Sequence, residues 1–272
     1  MTDVTRTWRQ VPGYAFLTVV ALVSVFPLYF MLVSSTNSSQ QVLASRLLPG
    51  TNLLQNFRDL LGTQNVGAAM WHSFLNASAT TVLALILCSI AGYGFEVFHT
   101  KGKDRVMGLL LLAIMIPFAA TMIPLFQMFA EFGWVNSTLA VIMPAISTPF
   151  LILLFRQSAR TFPHEILEAA RIDGLRELGI FGRIFVPTMR PTYAAAAVIT
   201  FMTAWNNFLW PKVILLDGRA QTMPMLISNL TAGYVTNYGV LMLAVLLASL
   251  PTMIIFLVLQ LSFAEGITGA IK

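Results

Sequence analysis

The sequence predicts an all-α membrane protein with six transmembrane helices, and three observations carry that prediction. The chain of 272 residues is 57% hydrophobic and only 10% charged, whereas a soluble domain is about 25% charged. Its mean hydropathy is +0.77. Apolar runs of about 20 residues, the length that crosses a bilayer, recur along it. A soluble globular protein, a disordered chain, a disulfide scaffold and a large extracellular module are excluded. The single cysteine, Cys88, has no internal partner. The net charge of +5, from 16 Lys and Arg against 11 Asp and Glu, reports topology rather than nucleic-acid binding.

The first run, 12–33, has no charge between Arg9 and Arg46. It is too long for a signal-peptide core and lacks a small-x-small cleavage site, so it reads as an uncleaved helix. The second run, 73–95, carries Asn76 and Ser78. The third, 106–129, is interrupted by Pro117 and Pro124 and holds Gln127. The fourth, 138–155, is also long enough to cross. The fifth, 192–216, contains Trp205, Asn206, Asn207 and Trp210. The sixth is 239–263. The whole chain, 1–272, reads as one transmembrane domain.

The basic residues set the direction. With the N-terminus inside, the inner segments hold Arg6, Arg9, Lys101, Lys103, Arg105, Arg156, Arg160, Arg171, Arg176, Arg183, Arg190 and Lys272. The outer segments hold Arg46, Arg58, Lys212 and Arg219. That bias, 12 of the 16 basic residues, places both termini in the cytoplasm. An even number of spans agrees.

The segment 156–191 breaks the apolar pattern with six basic and four acidic residues. Ten charges at mid-bilayer cost about 25–35 kcal/mol as an upper bound, so the segment stays in the cytoplasm. It nonetheless has helical structure written into it. Pro163 suits a helix start, and Glu165 and Glu168 favour the dipole there. Ile166, Ala169 and Ala170 share a face, and Gly174 is a natural stop. A second apolar-basic helix through Leu178, Phe181, Ile184 and Phe185 follows, closed by Pro187. Small residues on one side of this helix–turn–helix permit close approach by another protein.

These residues resemble a known pattern. Glu168-Ala169-Ala170, Gly174, Ile184 and Val186-Pro187 keep the spacing of the EAA loop of ABC importer permeases, with Val186 where the family usually has Leu. The stretch from Phe162 to Gly174 is similar to the sugar-importer branch, the maltose and glycerol-3-phosphate type. Weaker likenesses cover nearly the whole chain: Pro49 and Asn56-Phe57, Met115-Ile116-Pro117, Ile123-Pro124-Leu125, Phe201, Trp205-Asn206, Pro211 and 266–270.

The resemblance implies a type I ABC importer fold in a bacterial cytoplasmic (inner) membrane. It implies that Glu168, Ala169, Ala170, Gly174, Ile184 and Pro187 form a coupling helix seated on a cytoplasmic ABC ATPase dimer. ATP and Mg sit on that partner, since this chain has no P-loop and Gly102-Lys103-Asp104 is only a basic turn. No cofactor is expected on this chain, and it is not expected to be an enzyme. A second homologous permease and an extracytoplasmic solute-binding protein complete the assembly.

Each of these residues also has a bland reading. The EAA stretch without its spacing is an ordinary amphipathic helix, and Glu168 can pair with Arg171 or Arg160. Trp205, Asn206, Asn207, Gln127 and Asn76 can line a sugar pathway, since amides and aromatic faces bind sugars. They can equally bond helices to one another or anchor at the interface. Glu96 and His99 read as solvated boundary residues, and no His has metal-ligand spacing. The alternative class is a self-contained secondary transporter or channel, which calls for acidic residues in mid-membrane; no span carries one. An exporter would carry a fused ATPase, which the sequence lacks.

Overall fold

The computed structural model describes residues 4–269, with side chains at 13–218, 220–258 and 260. The side chains of Arg6, Arg9, Arg219 and the 266–270 tail, together with Lys272, lie outside the described residues. All regular structure among the described residues is helical. The contacts divide the chain into two compact units, one up to Val66 with Leu226–Ser249, the other Gly67–Met225 with Leu250 onward.

The first unit holds α1 (Val4–Ser35), α2 (Ser39–Leu43) and α3 (Leu53–Thr63). From Gly13 to Ser35, α1 is apolar enough and long enough to cross a membrane. Two of its hydroxyls bond within the helix: Thr18 donates to the Tyr14 carbonyl and Ser24 to that of Val20, both at 2.8 Å, as apolar surroundings favour. Ser38 and Gln41 form a reciprocal cap that starts α2. Amphipathic α3 buries Asn56, whose amide donates to the Ser35 and Asn37 carbonyls at 2.8 and 3.0 Å. The loop asparagine is thus a brace for the end of α1.

The second unit is built around α4 (Val66–Val97), which runs unbroken for 32 residues. Against it pack α5 (Lys101–Ala113), α8 (Pro149–Arg160) and α12 (Arg190–Trp205), through Ala84, Cys88, Met107, Leu151, Ile152, Phe155 and Ala196. At Gly92 a Cβ would lie 2.6 Å from Phe155 Cβ and 2.7 Å from the Arg156 nitrogen. Only glycine lets α4 and α8 come this close.

Three sequence-predicted spans are broken rather than straight. The third splits into α5 and α6 (Phe118–Glu131), bent by 99°. Before the bend, Ile114, Met115 and Ile116 bond carbonyls three residues back, so the helix tightens into a 3₁₀ turn. Pro117 then has no N–H to continue the ladder. Pro124 lies inside α6 without ending it. The fourth divides at 146–148 between α7 (Thr138–Ile142) with its 3₁₀ extension Met143–Ala145 and α8, with a 48° bend. The fifth ends at Trp205, because Asn206 turns its amide onto the Met202 carbonyl at 2.9 Å; α13 (Leu209–Ile214) resumes after 206–208. The sixth lies in α15 (Tyr238–Gly269), preceded by α14 (Met223–Leu230).

Candidate functional site

Two regions of the second unit hold the residues singled out from sequence. The first is the charged segment after α8. Pro163 immediately precedes α9 (His164–Ile172), with Glu165 in its first turn and Arg171 in its last, the charge order a helix dipole favours. Gly174 follows at φ +81°, and Gly174 and Leu175 donate to the Arg171 and Ala170 carbonyls at 3.0 Å, a left-handed C-terminal cap. A Cβ at Gly174 would meet nothing within 4 Å, so the demand for glycine is one of backbone conformation alone.

The second helix of the segment is short and wide. α10 (Glu177–Ile180) passes into a π turn at Phe181–Phe185 and then α11 (Val186–Thr188). Pro187 does not close this helix, as its ring suggested. It stands within the first turn of α11. The Val186 N–H reaches back to the Phe181 carbonyl, a five-residue step that gives the proline ring room. The chain breaks instead at Met189.

Beneath this segment lies an aromatic core of Tyr93, Phe162, Leu167, Ala170, Ile180 and Phe185. Tyr93 of α4 sits 5.3 Å from the Phe181 ring and 5.0 Å from the Phe185 ring. Its hydroxyl donates to Glu177 Oε2 at 3.3 Å. Glu177 Oε1 accepts from Arg171 Nε at 2.7 Å. That hydrogen bond raises the Arg171 pKa above its ordinary value, with slight burial acting against it. One carboxylate therefore ties α9, α10 and the end of α4 together. Sequence reasoning missed Glu177 and Tyr93; no local spacing links them.

What this core leaves outside is equally defined. Ala170 faces in, while Glu168 and Ala169 face out. Glu168 makes no ion pair among the described residues, the Arg171 guanidinium being held by Glu177. Ile172 is 86% and Leu178 79% exposed, beside the exposed Gly174. Ile184 is half-buried and Pro187 exposed. Two large apolar side chains thus stand exposed beside small residues on this face.

Beside this segment, Arg156 joins α8 to its neighbours. It donates to Glu96 at 3.1 Å and Asp104 at 2.6 Å, and Asp104 also meets His99 at 2.8 Å. Glu96 is a paired, largely buried group rather than a solvated boundary residue, because α8 brings Arg156 onto it.

The second region is a cavity of about 200 Å³ lined by α4, α7, α8 and α12. It gathers Asn76 and Asn207, two of the five polar or aromatic positions noted from sequence, with Thr80, Thr148, Thr200 and Thr203. The other three lie elsewhere. Trp205 is 2% exposed and stacks on Phe201 at 5.8 Å. Asn206 and Gln127 are exposed outside the cavity. Trp210 is buried, its Nε1 donating to the Ala140 carbonyl at 2.8 Å.

The fold is similar, with a TM-score of 0.77, to a bacterial ABC transporter involved in import of the acidic polysaccharide alginate. The identity is 19%, over 96% of this chain and 98% of that one, so the likeness is one of fold: the helices are arranged as in that importer's chain. Residues 84–269 match the family of binding-protein-dependent transport system inner membrane components, and the chain belongs to it. It is 39% identical over 272 residues to the lactose transport system permease protein LacG of Rhizobium radiobacter, covering 100% of both. It is 35% identical over 276 residues to the arabinooligosaccharides permease AraQ of Halalkalibacterium halodurans, covering 98% of this chain and 96% of that one.

Proposed function

We propose that this chain forms half of the translocation pathway of a sugar importer, with both termini in the cytoplasm. An extracytoplasmic binding protein delivers the solute. A second homologous permease supplies the other half. An ABC ATPase dimer, carrying ATP and Mg, seats on the segment 156–191. Glu168, Ala169, Ala170, Gly174, Ile184 and Pro187 are the coupling residues. The observation that carries this reading is the division of the segment into an aromatic core bound to α4 and an outer face of Glu168, Ala169, Ile172 and Leu178. A rigid inner face and an open outer face are what the transfer of motion from a docked subunit into a span requires. The sugar assignment is supported by the lactose and arabinooligosaccharide permeases of similar sequence.

The mechanism then follows from the geometry. Closure of the ATPase pair displaces α9. The Arg171–Glu177–Tyr93 bonds and the rings of Phe181 and Phe185 pass that displacement to α4, which also lines the cavity. The test is purification of the chain from its native membrane followed by measurement of uptake and ATP hydrolysis. An ATPase and a second permease are expected to accompany it, and Glu168→Lys is expected to leave the complex intact while reducing uptake at least tenfold. Uptake by the isolated chain on an ion gradient would contradict the proposal.

A further inference from the structure

The cavity between α4, α7, α8 and α12 has features that general permease function does not require. Asn76 is only 6% exposed, yet its side-chain oxygen has no hydrogen-bond partner. An orphaned amide oxygen in an apolar setting is costly, so its retention needs a reason. The neighbouring hydroxyls are oriented by the helix. Thr200 donates to the Ala196 carbonyl and Thr203 to the Ile199 carbonyl, each at 2.7 Å. Their single protons are thereby used, and what they present to the cavity is lone pairs. Asn207 adds an amide. Phe150, half exposed, contributes an aromatic wall. None of the lining residues is charged.

We propose that this cavity is a solute-binding site on this chain, built for one uncharged sugar ring. The inference rests on the import reading above and sharpens its substrate class. Hydroxyl groups of a sugar donate to the Asn76 oxygen and to the threonine lone pairs, while the ring's C–H face packs on Phe150. The volume corresponds to roughly seven waters at about 30 Å³ each, so one ring fits and the next unit of an oligosaccharide extends outside. An acidic sugar is disfavoured, because no Lys or Arg among the lining residues offsets the desolvation of its charge.

The experiment uses the assembled importer carrying Thr203→Cys in a Cys88→Ala background. Maleimide labelling of the introduced thiol is followed with galactose, glucose or galacturonate as the probe, against Glu131→Cys, an exposed position outside both the cavity and the segment 156–191, as an exterior control. High millimolar galactose or glucose is expected to slow labelling at position 203 at least threefold, galacturonate to leave it unchanged, and position 131 to respond to none. Adding Asn76→Leu or, separately, Asn207→Leu is expected to remove the protection from complexes that still co-purify with their partners. Equal labelling with and without neutral sugar overturns the site, and equal protection by galacturonate overturns its neutral class. Either failure in a complex that still couples ATP hydrolysis to uptake leaves the import reading intact. Absence of an ATPase partner overturns that reading instead.

Discussion

The charged segment 156–191 and the cavity are both polar interruptions in an apolar chain, yet they are organised in opposite ways. In the segment, charge is outside: Glu168 faces away from a core of Tyr93, Phe162, Ile180 and Phe185. In the cavity, polarity is inside: Asn76, Thr80 and Thr200 are buried among apolar helices. The first arrangement suits a partner large enough to cover a surface. The second suits a ligand small enough to enter. The charge census separates them equally well, with ten charged residues in 156–191 and none lining the cavity. A carboxylate such as Glu177 is affordable where water remains nearby, whereas the cavity is confined to amides and hydroxyls.

The largest effect is expected from cutting the ties that hold α4, α5 and α8 together between the two regions. Arg156→Met leaves Glu96 largely buried and unpaired, and is expected to destabilise the chain by about 3 kcal/mol, seen as a lower detergent-solubilised melting temperature. Gly174→Val comes next. The position is left-handed at φ +81° with open space around it, so the cost is backbone strain of about 1–2 kcal/mol. Its expected signature is ATP hydrolysis that no longer responds to binding protein. Gly174→Asn, which tolerates that conformation, should restore most of the response.

Asn76→Leu is the mirror case. Removing the orphaned oxygen is expected to leave the melting temperature unchanged or raise it, by up to about 1 kcal/mol of stability, while uptake falls. A simultaneous loss of stability would mean that the amide is structural. The smallest effect on folding is that of Glu177→Gln. Both Arg171 and Glu177 side chains are more than a third exposed, so the pair contributes less than about 1 kcal/mol. The expected change is functional: severalfold fewer solute molecules moved per ATP, with a normal melting temperature.

How much of this was legible in the sequence depended on how local each feature is. The helix from Pro163 to Gly174 was readable because its start, its charges and its stop lie within one short stretch. The all-helical character followed from the apolar runs alone. The size of the bend at Pro117 was not readable, since a proline marks a break but not whether the next helix continues or turns through 99°. Pro187 misled for a related reason: its ring marks a break in an α-helical ladder but not whether a π turn before it gives the ring room. Asn76 and Asn207 are visible in the sequence as polar groups within spans, but the cavity is not, because its walls come from helices far apart in sequence. One signal was present: Asn76 with Thr80, and Thr200 with Thr203, recur at three- and four-residue spacing on single helix faces, with Asn207 four residues on, just past the end of α12. Trp205 and Trp210 show the reverse error. Residue type suggested a pathway or an interface anchor, while both rings serve as core.

The most direct measurement is uptake of radiolabelled neutral sugars into proteoliposomes holding this chain with its co-purified ATPase and second permease, binding protein outside and ATP within. Uptake that stops when either ATP or the binding protein is omitted, and that Gly174→Val reduces at least tenfold, is the expected result. Uptake that persists without ATP, or that the chain sustains alone on a proton or sodium gradient, would contradict a pathway driven through the segment 156–191.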